Sequence, residues 1–148
     1  MIGVIRLKIQ YQTLDLIDLI SERHISIRSL CEKAWNNSSN IPISNSEWFI
    51  MARIYKNQPT ISHVSKNVDI SRQATHKFVK KLEAKGLVKI QNVEGNNKDK
   101  CVQLTELGEL CYEKNEAFKA SLIETITNQL GEENVRKLHE ILEMDWGL

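Results

Sequence analysis

The chain has 148 residues, 41% of them hydrophobic and 26% charged, with a formal net charge of +1. That length suits one domain with a real core, and the composition argues against a disordered, fibrous or disulfide-stapled chain. The three cysteines, Cys31, Cys101 and Cys111, are widely spaced with no CxxC pair, so no disulfide framework or zinc site is signalled and a reducing, cytoplasmic setting is expected.

Residues 1–10 hold Ile2, Val4, Ile5, Leu7 and Ile9, interrupted by Arg6 and Lys8. The stretch is too short and too charged for a signal segment, and no run of about 18 apolar residues exists. A soluble, non-exported protein with no membrane partner is expected. A first long helix is predicted from about Thr13 to Trp35, with Ile17, Ile20, His24, Ile27, Cys31 and Ala34 on one stripe. Spacings of three and four make that stripe a narrow seam for a second helix. The run Asn36-Asn37-Ser38-Ser39-Asn40 should end it.

Ser44 or Ser46 can cap a second helix running through Tyr55, with Trp48, Met51, Ala52 and Tyr55 on one face. Asn57-Gln58-Pro59 stops it. Thr60 caps a short helix containing Ile61, Val64 and Val68, and Val68-Asp69-Ile70 makes a turn. Ser71 then caps a basic helix in which Phe78, Val79 and Leu82 face the core, with Thr75 one turn before them. Gly86 falls where a helix needs positive φ at its end. A strand is predicted over Leu87 to Val93, a polar loop over 94–100, and a second strand over Cys101 to Thr105. A long helix runs from Thr105 to about Leu130, Gly131 breaks it, and Glu132-Glu133 starts a last helix carrying Val135, Leu138, Ile141 and Leu142.

The modest net charge hides a segregation. Residues 71–100 carry eight Lys/Arg against three Asp/Glu, and residues 106–148 carry four against ten. A basic block of this kind, on a helix after a helix and a turn and before a hairpin, suits a winged helix-turn-helix on DNA. Residues expected at DNA on the basic helix are Ser71, Arg72, Gln73, Thr75, His76, Lys77 and Lys80. Arg can take a guanine edge in a bidentate pair and Gln an adenine edge. Ser71, Lys77 and Lys80 suit phosphates, which fix register. In the hairpin loop Asn96, Asn97, Lys98 and Lys100 are the candidates, with Gly95 and Asn96-Asn97 supplying positive φ. The plain alternative is that Lys77, Lys80, Lys81 and Lys85 form an ordinary solvated face.

The run from Ile70 to Val88, with its Leu82-Glu83-Ala84-Lys85-Gly86-Leu87-Val88 piece, resembles the recognition helix and first wing strand of MarR-family transcription regulators. Val102-Gln103-Leu104-Thr105-Glu106-Leu107-Gly108 resembles that family's second wing strand and following helix. Ser44 to Met51 resembles its second helix. The resemblance covers nearly the whole chain, and it implies a homodimeric winged-helix repressor released by a small ligand or by oxidation. Asn96, Asn97, Lys98, Asp99 and Lys100 stand where the family's wing carries Asp followed by Arg, and Lys lacks the planar fork of Arg.

The expected architecture is mainly α with a small β-hairpin wing. It forms a single domain over 1–148, with about 44–105 as the DNA-binding lobe and 1–43 and 106–148 as a helical dimerisation lobe. Dimer contacts are expected through Leu122, Ile126, Leu130, Val135, Leu138 and Leu142, and the DNA target should be a pseudo-palindromic operator. A small-molecule effector is expected near His24, Arg28, Trp48 and Tyr55, where rings give walls and cations hold an anion. Cys31 is the candidate for a redox-sensing alternative. It lies about 10 Å along the helix from His24, too far for a Cys–His dyad. No GxGxxG, P-loop, GxSxG or HExxH occurs, and His24, His63, His76 and His139 are scattered. A non-enzyme without cofactor or metal is expected. A winged-helix module that binds protein and not DNA is the competing reading.

Overall fold

The structure is a computed structural model that describes residues 12–68 and 70–148, with the backbone alone at 96–98. The apolar stretch within 1–10 and Asp69 of the expected turn lie outside the described residues. The chain divides into two compact units, Met1–Asn45 and Ser46–Leu148.

The first unit holds helix α1, Leu16–Ser38. It starts later than expected because Asp15 caps it, the carboxylate accepting from the Asp18 N–H at 2.8 Å. It also runs through Asn36 and Asn37, which do not end it. Trp35, 1% exposed, fixes the exit: its indole N–H donates to the Ile41 carbonyl at 2.7 Å. The Ser39 hydroxyl accepts from the Ile41 N–H at 3.1 Å. Of the expected seam, Ile17, Ile20, His24 and Ile27 are exposed and Cys31 and Ala34 half-buried.

The second unit begins within helix α2, Asn45–Ile54, whose buried residues are Glu47, Trp48, Ile50, Met51 and Ile54. Ala52, expected on that face, is exposed; the inward stripe runs 47, 50, 51, 54. Helix α3, Ile61–Asn67, is capped by Thr60, whose hydroxyl accepts from the His63 N–H at 3.1 Å. Arg53 Nε donates to the Asn67 carbonyl at 3.2 Å, tying α2 to the end of α3. Helix α4, Arg72–Ala84, is capped by Ser71, which accepts from the Ala74 N–H at 3.1 Å. At its other end Gly86, at φ 76°, lets its own N–H reach the Glu83 carbonyl and the Leu87 N–H reach Leu82. That double closure is a Schellman motif, and it needs the positive φ that glycine takes without strain.

Strands β1, Val88–Val93, and β2, Asn96–Leu104, pair antiparallel from Val88 opposite Leu104 to Asn92 opposite Lys100. The expected seven-residue loop over 94–100 is not there. Glu94-Gly95 alone makes the turn, with Gly95 at φ 77°. Val93 pairs with Asn96 next to Asn92 with Lys100, so residues 97–99 are surplus and bulge from the ladder. The Val102 N–H donates to the Pro59 carbonyl at 2.9 Å, fastening the hairpin to the segment before α3.

Thr105 caps the long helix α5, Glu106–Leu130, by accepting from the Gly108 N–H at 3.0 Å. Gly131, at φ 90°, separates it from α6, Glu132–Glu143. Helix α3 packs on α4 and β2, α4 on β1, and α5 on β2. Ile61, Val64, Val79, Leu82, Leu87, Val88, Val102 and Leu104 are buried there. A helix, a turn, a second helix and a hairpin around one core form a winged helix-turn-helix. Among the described residues no helix is long and apolar enough to cross a membrane.

Candidate nucleic-acid interface

The exposed side of α4 follows from its helical period. Thr75, Val79 and Leu82 are buried and Phe78 half-buried. That turns Arg72, Gln73, His76, Lys77 and Lys80 outward, and all five are exposed, as is Ser71. One residue of the expected set drops out. Thr75 is 0% exposed and its hydroxyl donates to the Ser71 carbonyl at 3.0 Å, so it packs the core and is not on the exposed face. Lys80 approaches Glu83 at 3.5 Å, an exposed pair that holds neither side chain firmly. Lys81 lies over the Phe78 ring, 5.6 Å from its centroid.

Lys85 is not on a solvated face. Its ammonium donates to both carboxylate oxygens of Glu47 at 2.9 and 2.8 Å, and the Glu47 side chain is 4% exposed. The partners stand 38 residues apart, and nothing in the local pattern of either joins them.

The hairpin meets α4 at a shallow hollow lined by Ile61, His76, Lys80, Ile90, Asp99 and Lys100. Cationic groups from α4 and β2 thus share one surface, with one carboxylate among them. Lys100 is exposed, and its N–H donates to Asp99 Oδ1 at 3.0 Å. The side chains of Asn96, Asn97 and Lys98 lie outside the described residues.

The residues expected to take a small ligand fall in both units. In the first, His24 is exposed and Arg28 half-buried. In the second, Trp48 is buried, and Tyr55 is half-buried with its hydroxyl donating to Glu113 Oε1 at 2.7 Å. That bond, helped by burial and by the carboxylates of Glu113 and Glu109, pushes the Tyr55 phenol up to about 12. Its ring also packs on Tyr112, centroids 4.4 Å apart and planes tilted by 34°. Cys31 and Cys101 are half-buried and Cys111 is buried, and burial pushes the Cys111 thiol up. Among the described residues no group of His, Cys, Asp and Glu could hold a metal ion.

The residues expected at a dimer interface lie on α5 and α6. Leu130, Leu138 and Leu142 are exposed, and Leu122, Ile126 and Val135 half-buried. Ile123, Ile141, Met144 and Trp146 are exposed as well.

No family model matches the chain. TcaR of Staphylococcus aureus, an HTH-type transcriptional regulator, is 23% identical over 133 residues, 88% of each chain. Streptococcus pneumoniae FabT, solved in complex with DNA, superposes with a TM-score of 0.76 at 21% identity, over 86% of this chain and 90% of that one. E. coli MarR in its apo form gives 0.72 at 18% identity, over 88% and 96%. NadR in complex with 4-hydroxyphenylacetate gives 0.66 at 23%, over 86% and 88%. The fold is that of the MarR-type winged helix-turn-helix proteins, and the proteins it matches include a transcriptional regulator of the helix-turn-helix type and one solved on DNA.

Proposed function

We propose that this protein is a dimeric, sequence-specific DNA-binding transcription regulator of the repressor type, released from DNA by a small ligand. The observation that carries the reading is the exposed face of α4. Arg72, Gln73, His76, Lys77 and Lys80 point away from a buried stripe on the same helix, beside a hairpin that adds Lys100. That is base-reading and phosphate-binding chemistry on one surface, on a fold shared with FabT, which was solved on DNA.

Dimer formation is supported by α6. It has twelve residues and not one of them is buried, and a helix that short is marginal in water unless its apolar face is covered. Leu138, Ile141 and Leu142 form such a face, so a second copy is its expected cover. Release by a small molecule is supported by NadR, whose structure holds an aromatic carboxylate.

Duplex binding measured across a salt series tests the reading. The logarithm of affinity should fall linearly with the logarithm of salt. Selection from a random duplex pool should enrich a pseudo-palindrome with half-sites about 10 base pairs apart. Salt-insensitive binding without sequence preference would instead favour a protein-interaction module.

A further inference from the structure

The ion pair between the buried Glu47 and the half-buried Lys85 asks for an explanation that stability does not supply. An apolar pair of similar volume is commonly as stable as a buried ion pair or more so. What the pair adds is direction. Lys85 caps the C-terminal end of α4, and Glu47 lies in the first turn of α2. A helix C-terminus favours a cation and an N-terminus an anion. Each charge therefore stands on the helix end that suits its sign, and both carboxylate oxygens accept from the one ammonium.

Lys85 is about 20 Å along the helix axis from Arg72. We propose that Glu47, acting through Lys85, is a positioning residue that sets the angle at which α4 presents its reading residues to DNA. This rests on the DNA-binding function proposed above. A helix free to shift by an ångström at one end tilts at the other. Bidentate base contacts do not survive that much looseness in their support. Neither Glu47 nor Lys85 needs to touch DNA for this.

The test uses the full chain. The wild type is first given a random duplex pool, and its enriched operator is isolated. Affinities for that operator and for random duplex are then measured for Glu47→Gln, for the apolar pair Glu47→Leu with Lys85→Met, and for the swapped pair Glu47→Lys with Lys85→Glu. The operator-to-random ratio should fall by about tenfold or more in the first two, on the scale of one lost base contact. The apolar pair leaves the net charge unchanged, so its salt slope and its affinity for random duplex should stay at wild-type values. It should also melt at or above the wild-type temperature, which separates positioning from folding. The swapped pair should recover only part of the ratio, because both charges then oppose their helix ends.

If Glu47→Gln unfolds the protein, the apolar pair decides. An apolar pair that keeps the wild-type ratio overturns the inference alone. A wild type that enriches no sequence overturns the DNA-binding function and this inference with it.

Discussion

Arg72 and Lys80 stand about two turns apart on α4, both exposed, and the chemistry of their head groups suits them to different tasks in the proposed function. A guanidinium reads a guanine edge through two parallel bonds, whereas an ammonium is a point charge for phosphate. Arg72→Ala should therefore cost about 1–3 kcal/mol on the operator and relax specificity. Lys80→Ala should weaken all duplexes alike and lower the salt slope by about one. Equal loss on operator and random duplex for Arg72→Ala would show that it reads no base. Tyr55 offers a test away from DNA. Its phenol, ordinarily at 10.0, is held up to about 12 by the bond to Glu113. A group raised in the folded state contributes stability that is complete below its unfolded pKa and is lost as pH rises through the folded one. The protein should thus lose stability between about pH 10 and 12. An absorbance titration should show a late-ionising tyrosine that Glu113→Gln brings back toward 10.0. An unchanged titration in that variant would show that the bond is not made in solution.

At the scale of elements, the helices were legible because their signals are local. Thr60, Ser71 and Thr105 each accept from the N–H three residues on, and Gly86 and Gly131 sit at helix ends with positive φ. The hairpin was less legible. Residues 96–100 are polar and look like a loop, but Asn96 and Lys100 pair with Val93 and Asn92 whatever their side chains are, and the surplus 97–99 became a bulge. Thr75 was ambiguous for a related reason, since a small polar residue satisfies its hydroxyl on its own helix and so can be buried. The Glu47–Lys85 pair was invisible because its partners meet only in the fold. Gly108 lies where α5 begins, and a Cβ there would sit 2.0 Å from the Leu87 carbonyl oxygen. Gly108→Ala should cost about 1–3 kcal/mol or more by forcing backbone apart. Gly86→Ala meets open space and should cost only the strain of its positive φ, about 1–2 kcal/mol. Urea unfolding of both variants checks this. A Gly108→Ala protein as stable as the wild type would mean that α5 yields at that point.

For the whole molecule, the exposed apolar residues of α5 and α6 predict assembly. Leu138 is 47% exposed in the single chain, so a charge there is tolerated by one copy and buried unpaired in a pair of copies. Leu138→Glu should leave a folded protein that sediments as a monomer at micromolar concentration, where the wild type sediments as a dimer. A monomeric wild type would sink the dimer proposal.

The close approach at Gly108 also has a mechanical meaning. Thr105 Oγ1 donates to the Gly86 carbonyl at 2.6 Å and the Thr105 N–H to the Leu87 carbonyl at 3.0 Å, so the cap of α5 is bonded to the backbone just past the end of α4. A flexible side chain between them would act as a cushion, and at Gly108 there is none. The 25 residues of α5 then make an arm of about 37 Å joined to the end of α4. Swinging that arm by ten degrees carries its far end roughly 6 Å, so a displacement of that size applied there returns to α4 as a turn of that helix.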